Sequence, residues 1–291
     1  MPDIYEIKNR IEGLKSIHNI TYAMQIVTIS RLKRITAQLG RMKSSFEDIN
    51  QLAGYVLSEN EKLSRAFFHQ ELDETKPPVL LMFFSNRGFC GSFNQDIVNK
   101  AIGWCQDNGF DYHATQKVCI GKKGALLVKD KDAVFFAPQK DLFSKDDGEA
   151  LYQIVQGLMA QKRRLYSVFF EFKSIVSQKI VVEPFFPPSE EEFSQRNISL
   201  ERGSPYFVEP NRTLLEEKVF EHYYYLKLFK GIRESASSEF SQRFLLMKSA
   251  VDNVKELSEE LTMELNKERQ RGITQEISEI ISTFKALSVK K

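Results

Sequence analysis

The chain has 291 residues, and 41 Lys and Arg against 39 Asp and Glu leave a formal net charge of +2. That balance excludes a protein that holds nucleic acid by bulk positive charge, while 42% apolar residues are enough to bury a core in one large domain or two modest ones. Three cysteines, Cys90, Cys105 and Cys119, without C-x-x-C spacing, and only four histidines argue against a disulfide framework or a zinc site and for a reducing compartment.

The opening MPDIYEIKNRIEGLK mixes acids and bases, unlike a signal peptide or an Arg-rich transit peptide, so the protein is expected to stay in the compartment where it is made. Residues 1–75 contain one proline, Pro2, and three glycines, and read as a long helix. Apolar residues recur at Ile4, Ile7, Ile11 and Leu14, then at Leu32, Ile35, Leu39, Met42, Phe46, Ile49, Ala53 and Val56, in alternating steps of three and four. That spacing is a heptad seam. Between them, Ser16 to Ser30 carries no Lys, Arg, Asp or Glu, but it is shorter and more polar than the roughly 20 mostly apolar residues a bilayer span requires.

Residues 76–210 hold all the prolines after Pro2 and read as α/β. Val79 to Phe84 is an apolar run suited to a strand buried on both faces, followed by a helix from about Asn94 to Gln106. A short strand at Val118 to Ile120, a helix from about Lys122, and a helix from Asp147 to about Leu165 come next. Ser167 to Ile175 and Lys179 to Phe186 suggest a closing antiparallel hairpin, and Glu190 to Arg202 a polar loop. Alternation of this kind predicts a small, mostly parallel sheet flanked by helices.

Residues 211–291 contain no proline and only Gly231 and Gly272. A seam runs through Met247, Ala250, Val254, Leu257 and Leu261 and resumes at Ile273, Ile277, Ile280, Phe284 and Leu287. A long helix with one narrow apolar stripe needs a partner to bury it. The two flanking helices, one leading into the middle domain and the other out of it, are expected to pair antiparallel. The expected fold is therefore α/β with long helices: an antiparallel coiled coil of the N- and C-terminal helices plus a central Rossmann-like α/β domain.

The most enzyme-like feature is SNRGFCGSFN, Ser85 to Asn94, between a strand and a helix where phosphate-binding loops sit. It has neither G-x-G-x-x-G nor G-x-x-x-x-G-K-[ST] spacing, and a tight strand-to-helix turn accounts for its glycines. Cys90 at a helix N-terminus offers a nucleophile, but His18, His69, His113 and His222 share no motif with it. Glu256, Glu259, Glu260 and Glu264 form an acidic stripe whose default reading is solvation.

Three features of the flanks call for something outside the chain. In Ser16 to Ser30, Ile17, Ile20, Ala23, Met24, Ile26, Val27 and Ile29 go most of the way round the helix, more than one partner helix covers. Arg31, Lys33, Arg34, Arg41 and Lys43 follow with no acid until Glu47; they pair either with the acidic stripe or with an acidic partner. Asn266 to Gly272 interrupts the last seam with Lys267, Glu268, Arg269, Gln270 and Arg271, either as a solvated stutter or as a polar collar that bonds outside the rod. Two rivals stay open on these grounds: an α/β enzyme with helical extensions, and a coiled-coil scaffold or nucleic-acid-associated protein.

Taken together, these residues resemble the gamma subunits of F-type ATP synthases. IYEIKNRIEGLKSIHNITYAMQIVTISRLKR, SNRGFCGSFN, IGKKG and NKERQRGITQEISEI stand in the family's order and spacing, with Ser238-Glu239, Arg243, Met247 and Asp252-Asn253 ahead of the last motif. The resemblance implies a central rotor shaft without a catalytic site or cofactor of its own. It would couple ion-driven rotation of a c-subunit ring to ATP synthesis or hydrolysis at beta-subunit sites. Its partners would be the alpha and beta subunits, epsilon and the c ring, with no nucleic acid, and its place the cytoplasmic face of a bacterial inner membrane, peripheral.

By position, the resemblance assigns Arg269 and Gln270 to a beta-subunit loop, and Arg31, Lys33 and Arg34 to acidic beta-subunit loops. It assigns Met24, Ile20, Val27, Ile277 and Ile280 to the shaft's bearing contacts, and Tyr206 and Glu209 of PYFVEP to the c ring. Asn86, Ser92, Tyr22, Val208 and Thr283-Phe284 depart from the family's usual residues. The inserted cysteine-containing segment of chloroplast members is absent, so thiol control is not expected.

Overall fold

A computed structural model describes residues 4–73, 75–138, 143–194 and 211–288. In chain order the elements are α1 (Ile4–Glu59), α2 (Glu61–Phe68), β1 (Val79–Phe83), α3 (Phe93–Asp107), β2 (Gln116–Ile120), α4 (Gly124–Leu127), β3 (Val134–Phe136), α5 (Lys145–Met159), β4 (Leu165–Phe172), β5 (Gln178–Phe186), α6 (Glu191–Ser194) and α7 (Arg212–Ser288). The long N- and C-terminal helices and the central sheet agree with the fold read from the sequence. Two compact units divide the chain: Met1–Thr28 with Phe244–Lys291, and Ile29–Arg243.

The first unit is the antiparallel helical pair. On α1 its less exposed positions are Ile4, Ile7, Ile11, Leu14, His18, Thr21, Met24, Gln25 and Thr28, which keep steps of three and four as far as Thr21 and then take in both Met24 and Gln25. From Met247 onward on α7 they are Met247, Ala250, Val251, Val254, Ser258, Leu261, Leu265, Glu268 and Gly272, with steps of three and four after Val251. This corrects the seam expected from apolar spacing: Leu257 is 45% exposed and Ser258 takes the inner position beside it. The polar run is not a gap in the seam either, since Glu268 and Gly272 occupy inner positions there. Once contacts near Met247 fix the phase of the helix, each later position faces inward or outward by its number, whatever its side chain. Beyond Gly272, residues 273–285 are exposed, so the resumed seam of Ile273, Ile277, Ile280 and Phe284 has no cover among the described residues. The side chain of Leu287 lies outside the described residues.

The second unit is built on a five-stranded sheet of order β3-β2-β1-β4-β5. β1 pairs in parallel with β2 and β4, β2 in parallel with β3, and β5 antiparallel with β4. Alternate residues of β1 explain why the whole run is apolar. Val79, Leu81 and Phe83 join a core with Phe46 and Leu57 of α1, Phe67 of α2, Leu151 and Val155 of α5, and Tyr223 and Ile232 of α7. Leu80 and Met82 face the other way, against Phe93, Ile97, Ala101 and Cys105 of α3. Each such side chain contributes about 1.5–3 kcal/mol by leaving water. Within this unit, Leu32, Ile35, Leu39, Phe46, Ala53 and Val56 are buried as their spacing requires.

Local chemistry sets the element ends. α1 stops where Asn60 turns extended and accepts a hydrogen bond from the Leu63 N–H at 3.1 Å, starting α2. Ser144 and Asp147 form a capping box that starts α5. The helix-compatible residues after Met159 do not continue it: Lys162 takes φ +57, and Leu165 is already paired with Val79 in the sheet. The half-exposed strand β3, Val134-Phe135-Phe136, is made of strand-forming residues but is only three long, too short for the runs of strand length read from the sequence. Glu191–Ser194 forms a helical turn where a loop was expected; residues 195–202 lie outside the described residues. Among the described residues, no helix is long and apolar enough to cross a membrane.

Candidate functional site

In open α/β sheets, ligands enter the crevice at the C-terminal ends of the strands, where the strand order reverses. Here that point lies between β1 and β4, and the loop Ser85–Asn94 leaves the end of β1. The loop's polar groups are engaged with one another. The Asn94 side chain accepts from the Ser85 N–H at 2.9 Å and donates to Ser85 Oγ at 2.8 Å, and Ser85 Oγ donates to the Arg87 carbonyl at 2.8 Å. Ser92 Oγ donates to Asp96 Oδ2 at 2.6 Å. From α7, Arg243 donates to the carbonyls of Gly88 and Arg87 at 3.0 and 3.1 Å while paired with Glu239 at 2.7 Å. Ser235 and Ser238, also on α7, donate to the Phe83 and Phe170 carbonyls at the ends of β1 and β4. The place a phosphate would take in a nucleotide-binding sheet is filled by the chain's own helix.

The motif IGKKG has a packing reason. Gly121 sits at φ +122, and a Cβ there would lie 2.2 Å from the Phe84 carbonyl oxygen; one on Gly124 would lie 2.5 Å from the Phe84 ring. Burial pushes the Cys90 thiol up rather than letting the helix N-terminus lower it, and Cys119 is pushed up to about 12 for the same reason. The histidines are engaged elsewhere: His69 with Glu190 at 3.1 Å, His113 with Asp130 at 3.5 Å, His18 stacked on Tyr22 and His222 on Tyr225. Two lysines that the sequence did not single out are buried and paired, Lys117 with Asp130 at 2.8 Å and Lys227 with Glu192 at 2.7 Å. Nothing in their spacing distinguishes them from surface lysines.

The positions singled out for partners lie on the helices. In the first unit Ile20 and Val27 are 62% and 51% exposed, and Ile17 and Ile26 are exposed too, while Met24 is half-buried. Arg269 and Gln270 are both exposed, next to inward-facing Glu268. Their neighbour Arg271 pairs with Glu268 at 2.8 Å, and the described residues offer Arg269 and Gln270 no side-chain partner. Ile277 and Ile280 are exposed. The acidic residues Glu256, Glu259, Glu260 and Glu264 are exposed as well.

In the second unit Arg31 is half-buried, and Lys33 and Arg34 are exposed. Lys43 pairs with the buried Glu234 at 2.7 Å, whereas Lys33, Arg34 and Arg41 make no ion pair among the described residues. Arg34 instead stands close enough to Arg233 to help burial lower that group's pKa. Tyr206 and Glu209, with Val208, lie outside the described residues.

A family model described as ATP synthase matches residues 3–287. The chain is 28% identical to the ATP synthase gamma chain of Salinibacter ruber, with 99% of each chain covered. It is 29% identical to that of Amoebophilus asiaticus, with 99% of this chain and 100% of the relative covered. Among solved structures, it resembles a chain of the Euglena gracilis mitochondrial ATP synthase, determined as OSCP, F1 and c-ring in rotational state 3. The TM-score is 0.63 at 18% identity, covering 98% of this chain and 94% of that one. A chain of the Tetrahymena thermophila mitochondrial ATP synthase central stalk and c-ring gives 0.55 at 19% identity, covering 79% and 99%. At such identities the likeness establishes a shared fold. With a single family model spanning residues 3–287, the chain belongs to the ATP synthase family, and the members it is similar to are gamma chains.

Proposed function

We propose that the chain is the central-stalk rotor of an F-type ATP synthase and does its work by contact, with no reaction at a site of its own. The observation that carries this reading is the inverted pattern of α1 in the first unit. His18, Thr21 and Gln25 hold the inner seam while Ile17, Ile20, Ile26 and Val27 face outward. A helical pair meant to stand in water places its apolar residues the other way. An outward apolar surface suits a pair enclosed by another protein, here a ring of alpha and beta subunits. Such a shaft presents different residues around its circumference, so three otherwise equivalent beta sites meet it unequally, and turning it shifts each in sequence.

In this reading Met24, Ile20 and Val27 on α1, and Ile277 and Ile280 on α7, bear on the ring. Lys33 and Arg34, without ion pairs among the described residues, and Arg31 face acidic beta-subunit loops, and Arg269 and Gln270 bond to another loop of beta. Tyr206 and Glu209 contact the c ring, on which the α/β domain sits together with epsilon. The chain then sits on the cytoplasmic face of a bacterial inner membrane, held there by the c ring, and governs both ATP turnover and ion flow.

Replacing Arg269 and Gln270 together by Ala tests the reading. Coupled ATP turnover in the assembled complex is expected to fall by about tenfold or more, which corresponds to roughly 1.4 kcal/mol or more of added activation free energy. The thermal midpoint of the chain is expected to stay within about 1 °C, because exposed substitutions away from packing contacts cost little. Unchanged turnover in the variant complex would remove the assigned role.

A further inference from the structure

Between Gly231 and Arg243, α7 is buried almost all round, yet this stretch is rich in serine and charge. Apolar residues would cover the sheet without polar groups to satisfy, so the bonds these side chains make deserve a functional reason. The carboxylate of Glu234 is 1% exposed. One oxygen accepts from the Phe172 N–H at the end of β4 at 2.5 Å, and the other takes Lys43 of α1 at 2.7 Å. One residue later, Ser235 Oγ donates to the Phe83 carbonyl at the end of β1 at 3.1 Å, and Ser238 Oγ donates to the Phe170 carbonyl of β4 at 3.3 Å.

Apolar packing is non-directional and lets a helix roll against a sheet at little cost. Buried hydrogen bonds and ion pairs fix one rotation and one axial register, because any slip leaves a polar group unpaired. Glu234 is the point where α1, α7 and β4 meet through such bonds. We propose that Glu234, supported by Ser235 and Ser238, is a positioning group that locks the rotation of α7 against the ends of β1 and β4. Through Lys43 it holds α1 in the same register, so that torque on the sheet enters both helices instead of being lost in roll. This inference rests on the rotor reading and names the residues in this unit that carry the load.

The test uses the complete complex in membrane vesicles. A membrane-potential dye, calibrated against the rate of ATP hydrolysis, reads ions moved per ATP whichever ion is carried. Glu234→Ala is expected to lower that ratio at least threefold while hydrolysis continues. Glu234→Gln, which keeps an acceptor for the Phe172 N–H, is expected to retain at least half of it. A purely structural role would lower the amount of assembled complex and leave the ratio in what remains unchanged, which overturns the proposal. Where Glu234→Ala does not assemble, Ser235→Ala combined with Ser238→Ala, which strands no charge, is expected to lower the ratio about twofold, and an unchanged ratio there overturns it equally. Should the parent chain's own complex generate no potential on ATP, the rotor reading fails; a parent that does so beside unaffected variants refutes the lock alone.

Discussion

On β5, burial raises the carboxyl pKa of Glu183, while Lys230 and Lys227 pull it back. A carboxyl with a raised folded pKa holds its proton more tightly when folded, so its contribution to stability is greatest at low pH. It is lost as pH rises from the unfolded value of about 4.3 through the raised folded one. Relative to the parent, Glu183→Gln is therefore expected to be more stable at pH 7 than at pH 4.5, read from urea denaturation at both. A difference independent of pH would contradict the assignment. Motif residues at this scale are legible, but their reasons are not. Gly121 and Arg243 can be picked out from the sequence, whereas the Phe84 carbonyl that excludes a Cβ and the loop carbonyls that Arg243 binds come from distant segments.

Among the elements, the seam is where spacing and structure part. Apolar spacing alone puts Ile35 and Leu257 on equal footing; the structure buries the first and exposes the second. Ile35→Ala is expected to cost about 2–5 kcal/mol, since it opens a cavity in a packed site. Leu257→Ala is expected to change stability by less than about 1 kcal/mol. Both are read by chemical denaturation followed by circular dichroism. Equal costs would return Leu257 to the seam. The α1 seam was legible where large apolar residues mark it, as at Ile7, Ile11, Leu32 and Ile35, and not where His18, Thr21 and Gln25 hold it. On α7 the inner positions include Ser258, Glu268 and Gly272, which only the phase of the helix identifies. Likewise β3, only three residues long, has strand-forming Val134, Phe135 and Phe136 but becomes a strand by pairing with the edge that β2 offers.

In the molecule as a whole, much of the exposed apolar surface among the described residues lies on the outward faces of the paired helices and the stretch of α7 beyond Gly272, apart from single side chains such as Phe89, Leu126 and Val176 in the second unit. Beyond Gly272, Ile280 and Phe284 are 68% and 73% exposed. Exposed apolar surface of this kind drives association when its partner is missing, and a net charge of only +2 does little to oppose it. The isolated chain is therefore expected to self-associate, and replacing Ile277, Ile280 and Phe284 together by Ser is expected to reduce light scattering severalfold. The thermal midpoint should move little, because these side chains touch little within the chain. Scattering unaffected by the triple substitution would place the sticky surface elsewhere.

Chain-wide distributions were settled by the sequence alone: prolines confined to the middle, steps of three and four along both flanks, and apolar runs of strand length between turns. Such patterns follow from the backbone's own periods and need no knowledge of neighbours. Tertiary structure decided what depends on which surfaces meet. It turned His18 and Thr21 inward and Ile20 outward, filled the crevice between β1 and β4 with the serines and arginine of α7, and drew Lys43, Glu234 and Phe172 to one point. Periodicity is local in the chain, whereas satisfying a buried polar group is a bargain between segments far apart in it.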